Sequence, residues 1–183
     1  LKRANFRIPP KVTTIRQGYV LAVLANAEGW RRFAELGVRR GATAELMLRF
    51  APDVEYVGVD AWSQVDGDPS EPGYVDYGLP DMEDWKRRTA KALRAHADRV
   101  RLVEASTVEA AKLFPPAHFD AVFIDADHRT PYVLADIDAW RPLVRSGGWL
   151  IGHDWNWPSV KAAVLERLGE PRVLAPNVWG VRA

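Results

Sequence analysis

Phe119-Asp120-Ala121-Val122-Phe123-Ile124-Asp125-Ala126-Asp127-His128 is an apolar run that ends abruptly in three ionisable side chains. The run reads as a strand, Phe119–Ile124, buried on both faces. Feeding a buried strand straight into two acids and a histidine is costly unless these groups face a cleft or one another. A helical pattern over residues 131–143 follows. Working outward, apolar runs predict further strands at 33–37, 54–59, 100–103, 149–151, 172–174 and 178–181. Helical spacing covers 16–27, 43–50, 82–97, 108–113 and 159–168. Strict alternation of the two predicts a Rossmann-like, doubly wound α/β fold, with helices on both faces of a mostly parallel sheet. The last two strands are too close for a crossover helix and should form an antiparallel hairpin. Ligands in such sheets bind beyond the carboxyl ends of the strands.

Composition narrows the function. The 183 residues are 48% hydrophobic and 27% charged, with no cysteine. One domain, 1–183, is expected, with a leading helical segment at 1–30; a chain of this size buries about 70% of its unfolded surface. Thiol nucleophiles, disulfide frameworks and zinc knuckles are excluded. Lys plus Arg number 25 against 24 for Asp plus Glu, a net charge of +1 that exerts no bulk pull on nucleic acid or membrane. No apolar stretch is long enough to span a bilayer and the start lacks a signal-peptide pattern, so a cytoplasmic location is expected. Eight tryptophans are many for this length, and some are expected to line a pocket.

Glu35-Leu36-Gly37-Val38-Arg39-Arg40-Gly41 ends the first strand. A dinucleotide fingerprint needs glycine where Arg39 stands, and Glu35 suits a cation better than a pyrophosphate. Gly37 and Gly41 permit a tight turn and close approach of a ligand. Asp60 ends the second strand, where a carboxylate accepts from ribose hydroxyls. Together these imply a nucleoside bearing positive charge and no diphosphate, which S-adenosylmethionine fits. At the fourth and fifth strand ends, Asp125 and Asp154 should be neighbours. With waters and a substrate oxygen they suit one hard divalent cation such as Mg2+. His128 suits a general base, the role imidazole side chains fill most often. Asp125 as a helix cap and His128 and His153 as loop histidines are the bland alternatives.

With these segments in place, the chain resembles the class I S-adenosylmethionine-dependent methyltransferases, most closely the small O-methyltransferase branch that includes catechol, caffeoyl-CoA, macrolide-sugar and cephalosporin-tailoring enzymes. The resemblance runs from about Phe33 onward. It implies a seven-stranded sheet of order 3-2-1-4-5-7-6 with the last strand antiparallel. It also implies Glu35, Gly37, Gly41 and Asp60 at the cofactor, with Ala105 and Ser106 beside the adenine and Asp125 nearby. Asp125 and Asp154 fall at metal positions and His128 at the base. Relatives that use a metal follow with Asp-Asn or use Glu-Asp, whereas this chain reads His153-Asp154-Trp155; His153 or Asn156 is then the candidate third ligand.

The implied reaction is in-line attack by a hydroxyl of a small-molecule acceptor on the sulfonium methyl, with His128 taking the proton. Residues 61–81 are too long for a simple βα connection. Asp60 to Trp85 carries eight carboxylates and no Lys or Arg. This acidic stretch reads as a lid whose Trp62, Tyr74 and Tyr77, with Trp155 and Trp157 from the neighbouring strand end, wall a substrate. It should disfavour anionic acceptors and admit neutral or cationic ones. The basic stretch from Lys86 to Arg101 reads as a charge-balanced exposed face rather than a nucleic-acid site. Selectivity is expected from the leading segment, the lid or a neighbouring subunit in a homo-oligomer. Alternatives are a metal-independent O- or N-methyltransferase, a non-catalytic partner that retains the fold, and a dinucleotide oxidoreductase.

Overall fold

The computed structural model describes residues 17–63, 70–75 and 82–183. Along the chain run α1 (Gln17–Glu28), β1 (Arg32–Leu36), α2 (Ala42–Phe50), β2 (Glu55–Asp60), α3 (Met82–Leu93), β3 (Val100–Glu104), α4 (Thr107–Ala111), β4 (Phe119–Ile124), α5 (Thr130–Trp140), β5 (Val144–Gly152), α6 (Pro158–Leu168), β6 (Arg172–Ala175) and β7 (Val178–Arg182). The seven strands form one sheet in the order β3-β2-β1-β4-β5-β7-β6. β3, β2, β1, β4 and β5 are parallel, and β7 runs antiparallel to both β5 and β6.

Period-two alternation within the strands sends side chains to two separate cores. Val122 and Ile124 of β4 join Leu36 and Leu150 under α4, α5 and α6, where Ile137, Trp140 and Val164 are wholly buried. Ala121 and Phe123 point the other way, with Phe33 and Tyr56, under Leu21 of α1 and Met47 and Leu48 of α2. With both faces covered, β4 is buried at every position. Complete burial of a Leu, Ile or Phe side chain contributes roughly 1.5–3 kcal/mol, so the two layers hold the sheet without a staple.

The tryptophans serve these cores more than any pocket. Trp30, Trp140 and Trp179 are wholly buried in them and Trp149 nearly so, while Trp62 and Trp85 pack with Val38 in a third, smaller cluster. Two element boundaries differ most from the sequence reading. The helix expected to reach 97 leaves α-geometry after Leu93, because His96 has φ −124°. Arg99 beyond it donates to the carbonyls of Leu48, Ala51 and Val54, closing the C-terminal end of α2. β5 begins at Val144 rather than 149, since Val144 pairs with Phe119 and Ala183 N donates to the Gly148 carbonyl at 3.1 Å.

The basic stretch is balanced locally: Lys86 pairs with Glu104 at 2.6 Å, while Arg87 and Arg88 both pair with Asp84. Among the described residues no helix is long and apolar enough to cross a membrane.

Candidate active site

The parallel strands end at a cavity of about 1070 Å³. Its floor is built by the turn after β1. Gly37 adopts φ +87°, and a Cβ there would lie 2.1 Å from the Asp125 carbonyl oxygen. Asp125 N donates to the Leu36 carbonyl and Gly37 N to that of Val59, both at 2.9 Å, so three strand ends meet at this glycine. Gly41, at φ +77°, starts α2. Arg39 takes a left-handed φ of 54° where a dinucleotide loop has glycine. That conformation costs a residue with a Cβ about 1–2 kcal/mol. It is held by Trp62 Nε1 and Thr89 Oγ1, which donate to the Arg39 carbonyl at 2.9 and 2.8 Å.

Glu35 is 1% exposed and lines the floor. Burial pushes its carboxyl up to about 8; a hydrogen bond from Tyr56 opposes the rise, and the charges of Asp125 and Asp60 add to it. That bond is 2.6 Å, with the Tyr56 hydroxyl donating. A desolvated carboxyl facing a cavity is matched to a ligand cation, which restores its charge. Asp60 also lines the cavity and is pushed up by burial, while backbone donors pull the other way. Its two oxygens accept from Arg39 N and Trp62 N, each at 2.7 Å. It thus ties together the loops after β1 and β2. A carboxylate has roughly four lone-pair sites, so backbone donors from Arg39, Trp62 and Val38 still leave room for a ligand hydroxyl. Ala105 and Ser106 line the next stretch of wall, Ser106 also capping α4 through Glu109 N at 3.3 Å.

The fourth and fifth strand ends bring Asp125, His128, His153 and Asp154 into one cluster. His128 Nε2 and Asp154 Oδ2 are 2.5 Å apart. His153 Nδ1 lies 3.5 Å from Asp125 Oδ1 and 3.2 Å from Asp154 Oδ1. Burial alone would raise the Asp154 carboxyl, but hydrogen bonds from His128 and His153 hold it well below the usual carboxylate range. Burial likewise favours a neutral His153; its bonds to Asp125 and Asp154 overcome this and push the ring up to about 10. Asp125 is pushed up by burial against the pull of His153. Three potential donor atoms, from Asp125, His128 and Asp154, lie within 4.8 Å of one another. His153, a candidate ligand from sequence, stands between the two carboxylates.

The aromatic residues expected around a substrate divide. Trp157 lines the cavity and stacks on His128, centroids 4.8 Å apart at 27°. Tyr74 lines it too. Trp62 does not: it is 7% exposed and packs with Val38 and Trp85, because its indole N–H is committed to the Arg39 carbonyl. Trp155 also turns away, packing against the α4–α5–α6 core with Lys161 Nζ 5.1 Å from its ring. Tyr77 lies outside the described residues.

Sequence reasoning missed Arg129, which is 3% exposed. It donates to both oxygens of Asp127, at 3.0 and 2.7 Å, and to Glu71 at 3.1 Å. Tyr132 lies 4.1 Å under its guanidinium. Residues 70–75 are thereby anchored over the end of β4. Gly73, at φ +93°, packs so closely that a Cβ would sit 2.3 Å from the His128 carbonyl oxygen. Glu71 belongs to the acidic stretch, but nothing local in the sequence pairs it with Arg129.

Seven strands in this order, with β7 reversed and the cavity at the ends of the parallel strands, define the Rossmann-like methyltransferase fold. The chain belongs to the methyltransferase domain family, whose model matches residues 34–155. No curated protein matches it in sequence. Among solved structures it is similar to the calicheamicin methyltransferase CalS11, at 18% identity and a TM-score of 0.68 over 90% of this chain and 76% of that one. It is also similar to the O-methyltransferase TomG from Streptomyces achromogenes, solved with SAM, at 19% identity and a TM-score of 0.59 over 90% and 65%. Cofactor-bound Rv0187 from MTB matches at 21% identity and a TM-score of 0.59 over 87% of this chain, which spans 63% of that protein. At these identities the likeness establishes the fold.

Proposed function

We propose that this protein transfers a methyl group from S-adenosylmethionine to a hydroxyl of a small-molecule acceptor. The observation that carries the reading is that one cavity joins two chemically different ends. A buried carboxyl and a strand-end acid, Glu35 and Asp60, stand at one end; a histidine–aspartate pair, His128 and Asp154, stands at the other. S-adenosylmethionine supplies an electrophilic methyl on a sulfonium. Glu35 would hold its ammonium and Asp60 its ribose hydroxyls, beside Ala105 and Ser106. In the tautomer that donates Nε2–H to Asp154, His128 keeps Nδ1 as the acceptor for the acceptor's hydroxyl proton. Asp154 fixes that ring and stabilises the imidazolium that results; Trp157 restrains it from the side. The acidic stretch after Asp60 favours a neutral or cationic acceptor over a phosphorylated one or a CoA thioester.

The spacing of Asp125, His128 and Asp154 supports a second reading, in which they hold a divalent cation that would polarise the acceptor oxygen. Calorimetry of the full chain with S-adenosylhomocysteine and NAD, followed by turnover with and without EDTA, separates these readings. Binding of the former alone is expected. Binding of neither or of NAD alone overturns the proposal, and loss of turnover in EDTA that Mg2+ restores selects the second reading.

A further inference from the structure

Around Arg129 stands at least one carboxylate more than charge balance requires. The guanidinium is 3% exposed, and Asp127 alone neutralises it: Nε donates to Oδ1 at 3.0 Å and Nη2 to Oδ2 at 2.7 Å, a bidentate pair two residues apart. A buried arginine needs such a partner, and this one has it within its own turn. Glu71 then arrives from a distant part of the chain and accepts from Nη1 at 3.1 Å. Half of the Glu71 side chain lies in solvent, where an ion pair contributes little stability. Its addition leaves Arg129, Asp127 and Glu71 with net negative charge as a group.

The segment that carries Glu71 is shaped to reach this spot. Tyr74 N donates to the Glu71 carbonyl at 3.0 Å, closing a four-residue turn. Pro72 stands second in it and Gly73, at φ +93°, third, the pattern of a type II turn. The tip rests on the start of α6 as well as on the β4–α5 turn, since a Cβ at Gly73 would lie 2.6 Å from Ser159 Oγ. Glu71 and Tyr74, the two ends of the turn, thus straddle Arg129, whose guanidinium carbon is 5.8 Å from the centre of the Tyr74 ring. Arg129 lines the cavity next to His128. Arg39 and Arg40, also on the cavity wall, lie over Trp85 at the β1 end. An acceptor with its hydroxyl at His128 therefore has Arg129 as the arginine beside it.

Resting on the methyl-transfer reading above, we propose that Glu71 determines specificity for acceptor charge: by capping Arg129 it denies that guanidinium to an anionic group next to the reacting hydroxyl. An arginine in the wall of a cavity is a ready partner for a phosphate or carboxylate. Paired with two carboxylates, it meets the same group with net repulsion, while neutral and cationic acceptors keep their access. The selectivity thus lies in one residue of the turn.

The test needs no acceptor: inorganic phosphate is titrated calorimetrically into the full chain saturated with S-adenosylhomocysteine. Glu71→Ala should bind phosphate at least about tenfold more tightly than the wild type, because one unit of negative charge within about 4 Å has gone. Glu71→Gln, which removes the charge but keeps an acceptor for Arg129, should fall between the two. Glu71→Ala combined with Arg129→Gln should lose the gain. A purely structural ion pair would lower the melting temperature of Glu71→Ala and leave phosphate affinity as it was, which overturns the inference. A gain that survives the loss of Arg129 overturns it too. Failure of the wild type to bind S-adenosylhomocysteine overturns the cofactor reading instead. The ratio of phosphate affinities, measured on the unliganded chain, still decides the role of Glu71, so the two failures are distinguishable.

Discussion

Glu35 makes the cofactor reading quantitative. With its carboxyl raised to about 8, it is mostly protonated at neutral pH when the cavity holds no cation. The ionised fraction is about a tenth at pH 7 and about a hundredth at pH 6. If the ligand's ammonium binds the ionised form, affinity for S-adenosylhomocysteine should fall about tenfold from pH 7 to pH 6, ~1.4 kcal/mol. The α-ammonium of a free amino acid titrates above even a peptide terminus, so the ligand's charge changes little across that interval. Binding at pH 7 should release close to one proton, read by calorimetry in buffers of different ionisation enthalpy. Glu35→Gln keeps an acceptor for the Tyr56 hydroxyl and removes the charge; it should bind weakly with a flat profile. Asp60 and Asp125 also line the cavity and are raised by burial, and the variant subtracts any slope they contribute. The same substitution bears on stability. A carboxyl raised in the folded state costs stability as pH climbs from its unfolded value, near 4.5, through about 8. Glu35→Gln should therefore be more stable than the wild type at pH 7, by on the order of 3 kcal/mol, in denaturant unfolding without ligand. An equally steep affinity profile in the variant, or a flat one in the wild type, refutes the assignment of the ammonium to Glu35.

Three further substitutions test other parts of the site. His128→Ala should lower turnover by about 100-fold or more while leaving S-adenosylhomocysteine affinity within about twofold, and undiminished turnover would exclude a role for this ring. Gly37→Ala must place a Cβ 2.1 Å from the Asp125 carbonyl at positive φ, so a loss of about 3 kcal/mol or more is expected in denaturant unfolding, with cofactor binding weakened. Trp157→Ala and Trp155→Ala form a contrasting pair. The first should change turnover because its ring stacks on His128; the second should lower the melting temperature and leave the kinetics per folded molecule unchanged.

What the sequence revealed and what it hid divide along a physical line. β4 was legible to the residue, Phe119–Ile124, because burial on both faces requires an unbroken apolar run. Glu35, Asp60, Asp125 and Asp154 were legible as strand-end positions, since a parallel sheet gathers such residues along one edge. Where side chains turn after the strand ends was not legible. Trp62 and Trp157 flank the cavity in sequence alike, yet a hydrogen bond to Arg39 draws one inward and a histidine ring holds the other at the wall. Asp136 did leave a signal, an acid in the stripe of Val133, Ile137 and Trp140, but only the packed structure shows that the stripe borders a cavity.

The central ambiguity also follows from the geometry. The sequence suggests His128 as a base and His153 as a metal ligand, yet Asp154 bonds both rings and Asp125 only that of His153. A cation that met His128 at Nε2, beside Asp125 and Asp154, would displace the proton that Asp154 orients at that atom. In that arrangement the two roles compete for one atom rather than cooperate. His153 bears on the choice: positive charge on its ring already balances the two carboxylates that a cation would bridge. Replacing it with glutamine removes that charge while leaving both acids and His128 in place. Competition predicts that His153→Gln binds Mg2+ or Mn2+ more tightly than the wild type, by about tenfold or more for one unit charge lost within about 4 Å. Equal or weaker affinity in the variant would mean that His153 supports a cation site rather than substituting for one.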